Sequence, residues 1–387
     1  MKTKNPTYKI YMLIFLITIP PDLPRVDVIH DIPEEEKQCD CGVELSCIGQ
    51  DVSEKLDYVP AKLRVIRHIR LKYACKNCEG VENEGPTVKI APVPVRLLPK
   101  SIATEVLIAH LIVSKFADGL PLYRQQKIFG RLGIELSRAT MANWVVKASQ
   151  QCRAMIEHLQ EEIRSGPLIN VDETSYQVLN EPDRRNTSKS YMWVFKGGQE
   201  NSPALLYQYH PTRSGDVALN FLGDYQGYVQ SDAFSGYECL SGKKGITHVG
   251  CWAHARRYFV DVIKAKKKNR SKRIQPKSLA DEALFFISRL YQIEHESKAN
   301  NLDPQGIHQL RQEKSKPVLD DFKNWLDAKQ PITPPKGLLG KAIGYALNHW
   351  GKLIVYIEDG RLSPDNNAAE NAIRPFVVGR KNWLFAG

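Results

Sequence analysis

The spacing of apolar and polar positions changes several times along the chain. Residues 62–73 (KLRVIRHIRLKY) put Leu63, Val65, Ile69 and Leu71 largely on alternate positions and Lys62, Arg64, Arg70 and Lys72 on the other face, as in half-buried strands. Residues 101–116 are largely apolar at helical spacing, with Ser101 as the expected cap and Glu105 in the first turns. A second amphipathic helix is expected over 122–132 behind Pro121. Gly133 then breaks the pattern, and Ser137 can cap a third helix over 138–151.

From Pro167 the pattern becomes strand-like. Residues 168–172, 191–196, 204–209, 227–232 and 247–251 read as five strands, with a helix over 214–222 between the third and fourth. The order β-β-β-α-β-α-β is that of an RNase H-like sheet. Its first and fourth strands end in Asp172 and Asp232, and such strands lie side by side. Near the C-terminus, Ser363 and Pro364 open a further helix that places Ala369, Ile373 and Phe376 on one side. Asn366, Asn367, Glu370 and Arg374 form its polar face, so that Glu370 can point at the two aspartates; a surface Glu370–Arg374 ion pair is the plainer alternative. Helical patterns at 279–296, 306–328 and 337–350 fill part of the 138-residue step from Asp232 to Glu370 and indicate an inserted helical subdomain.

Three carboxylates converging from distant segments suit phosphodiester chemistry. Two Mg²⁺ (or Mn²⁺) ions can activate a water or 3′-hydroxyl and stabilise the leaving oxygen, and such hard cations select carboxylate oxygens. Asp172 is expected to bridge both ions, with Asp232 on one and Glu370 on the other.

Charge sharpens this picture. The 387 residues carry a net +11, but the excess is local: +8 over 61–166 and +8 over 250–275, with −2 over 167–249 between them. Localised basic blocks point to a polyanion such as DNA, solvated lysine-rich faces being the plain alternative. The first block contains the helix-turn-helix pattern, whose last helix offers Arg138, Asn143 and Lys147 for DNA contact while Met141 and Trp144 can pack. The second contains Arg256, Arg257 and the run from Lys264 to Arg273, including Lys266, Lys267 and Lys268, which either clamps DNA or is a solvated loop.

Five of the eight cysteines fall within 40 residues. Cys39-x-Cys41 and Cys75-x2-Cys78 form two knuckles that match one structural Zn²⁺, with Cys47 as a possible substitute in the tighter first knuckle. Scattered reduced thiols are the alternative, and a disulfide framework is disfavoured without secretion. The apolar decamer at 10–19 is too short to span a bilayer and no cleavage site follows it. It reads as a buried or dimerising strand, or as residue replacing a lost N-terminus.

Several long stretches together resemble bacterial transposases of the insertion-sequence-66 family, over roughly residues 24–387. They are CDCGVELSCIGQDVSEKLDYVPAKLRVIRHIRLKYACKNC, INVDET around Asp172, VQSDAFSGY around Asp232, GCWAHARRYF, and SPDNNAAENAIRPFVVGRKNWLFAG around Glu370. The resemblance implies a DDE transposase acting on insertion-sequence ends, with Asp172, Asp232 and Glu370 as metal-binding acids. It divides the chain into an atypical N-terminal segment (1–23), a zinc ribbon (24–91), a helical DNA-binding region (92–166) and an α/β, RNase H-like catalytic domain (167–387) with its helical insertion at about 275–350. Implied partners are double-stranded DNA (terminal inverted repeats and target), further copies of the chain on DNA, and accessory proteins of the same element. A bacterial cytoplasmic, nucleoid-associated location without a membrane is expected. Cys251 and His254 are similar to a C-x2-H motif of several DDE superfamilies, with a packed thiol and capping histidine as the alternative. Relative to the family both ends look clipped, so a catalytically inactive DNA-binding derivative is the second reading.

Overall fold

The computed structural model describes residues 63–74, 88–179, 181–232, 234–268 and 278–383. The apolar decamer and Cys39, Cys41, Cys47, Cys75 and Cys78 lie outside the described residues, as do the side chains of Lys266, Lys267 and Lys268. The chain divides into two units, Met1–Leu71 and Lys72–Gly387. In the first, residues 63–71 form no regular element, and Val65, Ile69 and Leu71 are exposed. The alternation there is therefore not a half-buried strand: a strand needs a hydrogen-bonded neighbour, and among the described residues none pairs with it. Pairing begins in the second unit, where β1 (Lys72–Ala74) runs antiparallel to β2 (Val88–Ile90).

The helical region starts with α1 (Glu105–Phe116). Its cap is Thr104, whose hydroxyl accepts the Leu107 N–H at 3.3 Å, and not Ser101, whose hydroxyl accepts the Ala103 N–H in a local turn. Next come α2 (Leu122–Arg131) and α3 (Arg138–Gln151), separated by a turn in which Gly133 takes a φ of 80°, open to glycine without a Cβ penalty. Ser137 caps α3 as expected, accepting the Thr140 N–H at 3.1 Å. Ile108, Leu111, Phe129, Met141 and Trp144 bury one another between these three helices. The sequence reading did not anticipate α4 (Arg153–Ser165), whose Ile163 and Leu159 pack onto the following sheet.

That sheet has five strands: β3 (Leu168–Gln177), β4 (Lys189–Gln199), β5 (Ser202–His210), β6 (Gly227–Gln230) and β7 (Ile246–Val249), in the order β5-β4-β3-β6-β7. β4 runs antiparallel to both β3 and β5, whereas β6 and β7 run parallel to β3. A parallel neighbour needs a crossover, supplied by α5 (Asp216–Leu222) and, before β7, the short α6 (Glu238–Ser241). β3 is longer than the apolar run suggested. Pairing with β4 carries it to Gln177, so Asp172 lies within the strand, two residues past its last rung with β6.

Alternation across β3 sorts the two sides of the sheet. Ile169 and Val171 join Trp193, Phe195, Phe221 and Ile163 in a core beneath α4 and α5. On the opposite side Val194, the β4 partner of Asp172, is covered by Ala369 and Ile373 of the last helix, α13 (Asn367–Trp383).

Between β7 and α13 lie α7 (Trp252–Lys268), α8 (Leu279–Ala299), α9 (Pro304–Leu310), α10 (Lys316–Lys329), α11 (Leu338–Asn348) and α12 (Trp350–Leu353). They share a core of Trp252, Phe259, Ile287, Phe322, Ile343 and Leu353. A π-type turn, Arg311–Ser315, links α9 to α10. Arg311 is 2 % exposed. It holds Glu294 through two bonds of 2.8 and 2.7 Å and donates to the carbonyls of Tyr356, Asp359 and Leu362, tying the insert to the segment that leads into α13. Among the described residues no helix is long and apolar enough to cross a membrane.

Candidate active site

The parallel register of β3 and β6 pairs Asn170 with Gln230. Two residues further along each chain come Asp172 and Asp232, so residues 60 apart in sequence reach the same end of adjacent strands. Glu370 lies in the first turn of α13, the helix that covers Val194, the partner of Asp172 across β4. The structure thus brings the three expected acids together, and the charges acting on Asp172 include those of both Asp232 and Glu370.

A buried amide cluster fixes this convergence. The Asn170 side-chain amide donates to Gln230 Oε1 and to Asn366 Oδ1, both at 3.0 Å. Asn366 Nδ2 donates to the Val171 carbonyl at 2.9 Å, while Gln230 Nε2 donates to the carbonyls of Ser363 (2.7 Å) and Gly250 (3.2 Å). Three side chains from β3, β6 and the approach to α13 thereby satisfy one another where water is excluded. Asn366 is 1 % exposed and precedes α13 instead of lying on the polar face of the helix, as the helical pattern suggested. Ser363 and Pro364 likewise do not open the helix. Their carbonyls accept from Gln230 and from the Trp252 N–H, and α13 begins at Asn367 with Asn366 accepting its first backbone bonds.

Burial, together with the neighbouring carboxylates of Glu173, Asp232 and Glu370, pushes the Asp172 carboxyl up to about 7. Glu173 points to the opposite side of β3, where Arg213 and the Tyr237 hydroxyl both bond to its carboxylate. Burial raises Glu173 while those two donors oppose the rise. Arg213 also reaches Asp232 at 3.8 Å and lies 3.6 Å from the centre of the Phe234 ring. Sequence reasoning missed Glu173, Tyr237 and Arg213; the available signal was a second acid directly after Asp172, which an alternating strand must bury on its other face.

Cys251 and His254 stand beside the acids at the start of α7. The Cys251 sulfur accepts the Asn366 N–H at 3.2 Å, and His254 Nδ1 lies 3.7 Å from Glu370 Oε1. Glu370 therefore faces His254, and the alternative of a simple Glu370–Arg374 surface pair does not describe it. Burial lifts the Cys251 thiol to about 11.

Arg256, Arg257 and Lys264 line a groove of about 800 Å³ whose lining also includes Tyr291, Asp365, Asn367 and Glu370. On α3, Arg138, Asn143 and Lys147 are all exposed. They do not form one line, however: Asn143 and Lys147 are one turn apart, whereas Arg138 is displaced by roughly 140° from Asn143 at about 100° per residue. Arg138 instead approaches the Tyr123 ring of α2, 5.9 Å from its centre.

Residues 100–387 match the family model described as the transposase IS66 family. The chain belongs to that family. Residues 36–79, with all five clustered cysteines, match the zinc-finger binding domain of transposase IS66. Relatives from Sinorhizobium fredii include the uncharacterized protein y4jD, 36 % identical over 384 residues, covering 95 % of this chain and 71 % of the relative. Two others, y4qI and y4hP, are 32 % and 30 % identical and cover 94 % and 95 % of the chain, which spans 66 % of each of them. The insertion-sequence-66 resemblance thus holds over most of the chain, and membership suggests transposition, DNA binding and a bound zinc ion.

Proposed function

We propose that this IS66-family chain is a DDE transposase that cleaves and transfers DNA strands at insertion-sequence ends, with Asp172, Asp232 and Glu370 as its metal-binding acids. The observation carrying this reading is the shared register of Asp172 and Asp232 beyond the Asn170–Gln230 rung, with Glu370 brought beside them by Asn366. The strand order and the two parallel additions support an RNase H-like catalytic domain over 167–387, interrupted by the helical insertion at about 275–350.

The donor set fits Mg²⁺ or Mn²⁺. All ligands offered are carboxylate oxygens, and burial together with the neighbouring negative charges penalises the ionised Asp172 carboxylate, a penalty that a divalent cation would offset. Two such ions supply activation of the attacking hydroxyl and stabilisation of the leaving oxygen. The chain's own residues do the positioning. The amide cluster holds the two strands and α13 in fixed relation, Arg213 restrains Asp232, and Arg256, Arg257 and Lys264 present cations along the groove where a phosphate backbone can run.

Within this reading the cysteine knuckles at 39/41 and 75/78 hold one structural Zn²⁺ in a ribbon over 24–91, and the helices of 92–166 contact DNA through Asn143, Lys147 and, on a separate face, Arg138. Further copies of the chain and accessory proteins of the same element complete the assembly in the bacterial cytoplasm at the nucleoid. The test uses purified protein, labelled element ends and Mg²⁺, with Asp172→Asn as control. Strand-transfer product from wild type alone is expected. Tight binding without product in wild type overturns the enzyme assignment and leaves the DNA-binding derivative.

A further inference from the structure

Two buried polar atoms at the site lack a hydrogen-bond partner. His254 Nδ1 and Glu370 Oε1 are both shielded from solvent, neither makes a hydrogen bond, and they face each other at 3.7 Å. Leaving two such groups unsatisfied is costly, on the order of 1–3 kcal/mol each, so the gap asks for an occupant. It is too long for a direct N–H···O bond, which ends near 3.2 Å. A metal ion at about 2.1 Å from each atom spans 3.7 Å with a ligand–metal–ligand angle of roughly 120°, ordinary for a four-coordinate site.

Chemistry narrows the ion. The ligand atoms of Cys251, His254 and Glu370 all lie within 4.8 Å of one another, a sulfur, nitrogen and oxygen set. Mg²⁺ does not seek thiolates, whereas Zn²⁺ takes all three donor types and leaves a fourth position for water. We infer that Cys251, His254 and Glu370 form a second Zn²⁺ site, separate from the ribbon, which shares Glu370 with the acid cluster. The Cys251 thiol gives up its proton to solvent on coordination, and the Asn366 N–H is already placed to stabilise the sulfur. Through that bond the ion ties the start of α7 to the start of α13. The inference goes beyond the proposed reaction, requiring the position of Glu370 and not its part in strand cleavage.

The experiment loads the 387-residue chain with Zn²⁺ alone, without DNA or Mg²⁺, and measures bound metal after dialysis. His254→Asn and Cys251→Ala should each lower bound zinc by about one equivalent per chain relative to wild type. Asp172→Asn should retain it, which separates this site from the proposed catalytic one. Zinc K-edge absorption of the wild type needs no variant and should report nitrogen and oxygen ligands besides the ribbon's sulfurs. Unchanged stoichiometry in both folded variants, or an all-sulfur zinc environment in wild type, overturns the inference.

Discussion

Asp172→Asn should stabilise the magnesium-free protein, and increasingly so as pH rises. The Asp172 carboxyl has an ordinary value of 3.8 and is pushed up to about 7 in the fold. Between those values the folded chain keeps a proton that the unfolded chain has released. Folding stability contributed by this group is therefore greatest below pH 4 and falls as pH climbs towards 7. At roughly 1.4 kcal/mol per pH unit, the two units from pH 5 to 7 cost about 3 kcal/mol, with little further change above. Asparagine keeps the shape and removes the charge, so the gap in unfolding free energy between variant and wild type should widen by that amount between pH 5 and pH 8. Any constant offset from the exchange cancels in the comparison. Urea unfolding followed by tryptophan fluorescence suits the measurement, because Trp193 in the sheet is fully buried. Millimolar Mg²⁺ should narrow the gap by binding wild type alone. Parallel pH profiles for the two proteins would refute the idea that burial and the neighbouring carboxylates hold Asp172 protonated in the fold.

Other expectations concern the supports of the site. Asn366→Ala strips the Val171 carbonyl and one Asn170 bond of their partner, and should cost about 2–4 kcal/mol in urea unfolding while reducing cleavage more than DNA binding; a loss below about 1 kcal/mol contradicts the clustered-amide account. Arg311→Met leaves Glu294 buried without its cation and should cost about 3–5 kcal/mol, with much of that recovered when Glu294→Leu is added, as read by thermal unfolding of the single and double variants. Arg256→Ala with Arg257→Ala should weaken DNA binding across sequences and flatten the log–log salt dependence by about 0.9 per lost phosphate contact, checked by fluorescence anisotropy from 50 to 200 mM salt.

The elements that build the sheet were largely legible because their signals are local. Apolar runs located β4, β5 and β6 to within a few residues, and Ser137 marked the start of α3. Asp172, Asp232 and Glu370 could be singled out because each aspartate ends an apolar run and Glu370 follows a helix-start signal, although β3 continues past Asp172. The amides that hold them could not. Asn170, Gln230 and Asn366 look like solvent-facing residues until strand register and a contact 196 residues away put them together. Arg213 and Tyr237 were hidden for the same reason, since both answer to Glu173 across large sequence separations. The cap of α1 was misjudged on a finer scale, as Ser101 and Thr104 both offer hydroxyls and only the turn at Ala103 decides between them.

The bond from Asn170 to Asn366 also sets the order of assembly during synthesis. A ribosome that has translated both aspartates has yet to make more than a hundred residues before Asn366 and Glu370 emerge. At about 5–20 residues per second, the nascent chain spends several seconds or more with residues 61–166 already made but without Asn366 or Glu370. On the proposed reading, scission would thus be withheld from partial products, because a chain terminated before Asn366 lacks both the amide that closes the cluster and Glu370.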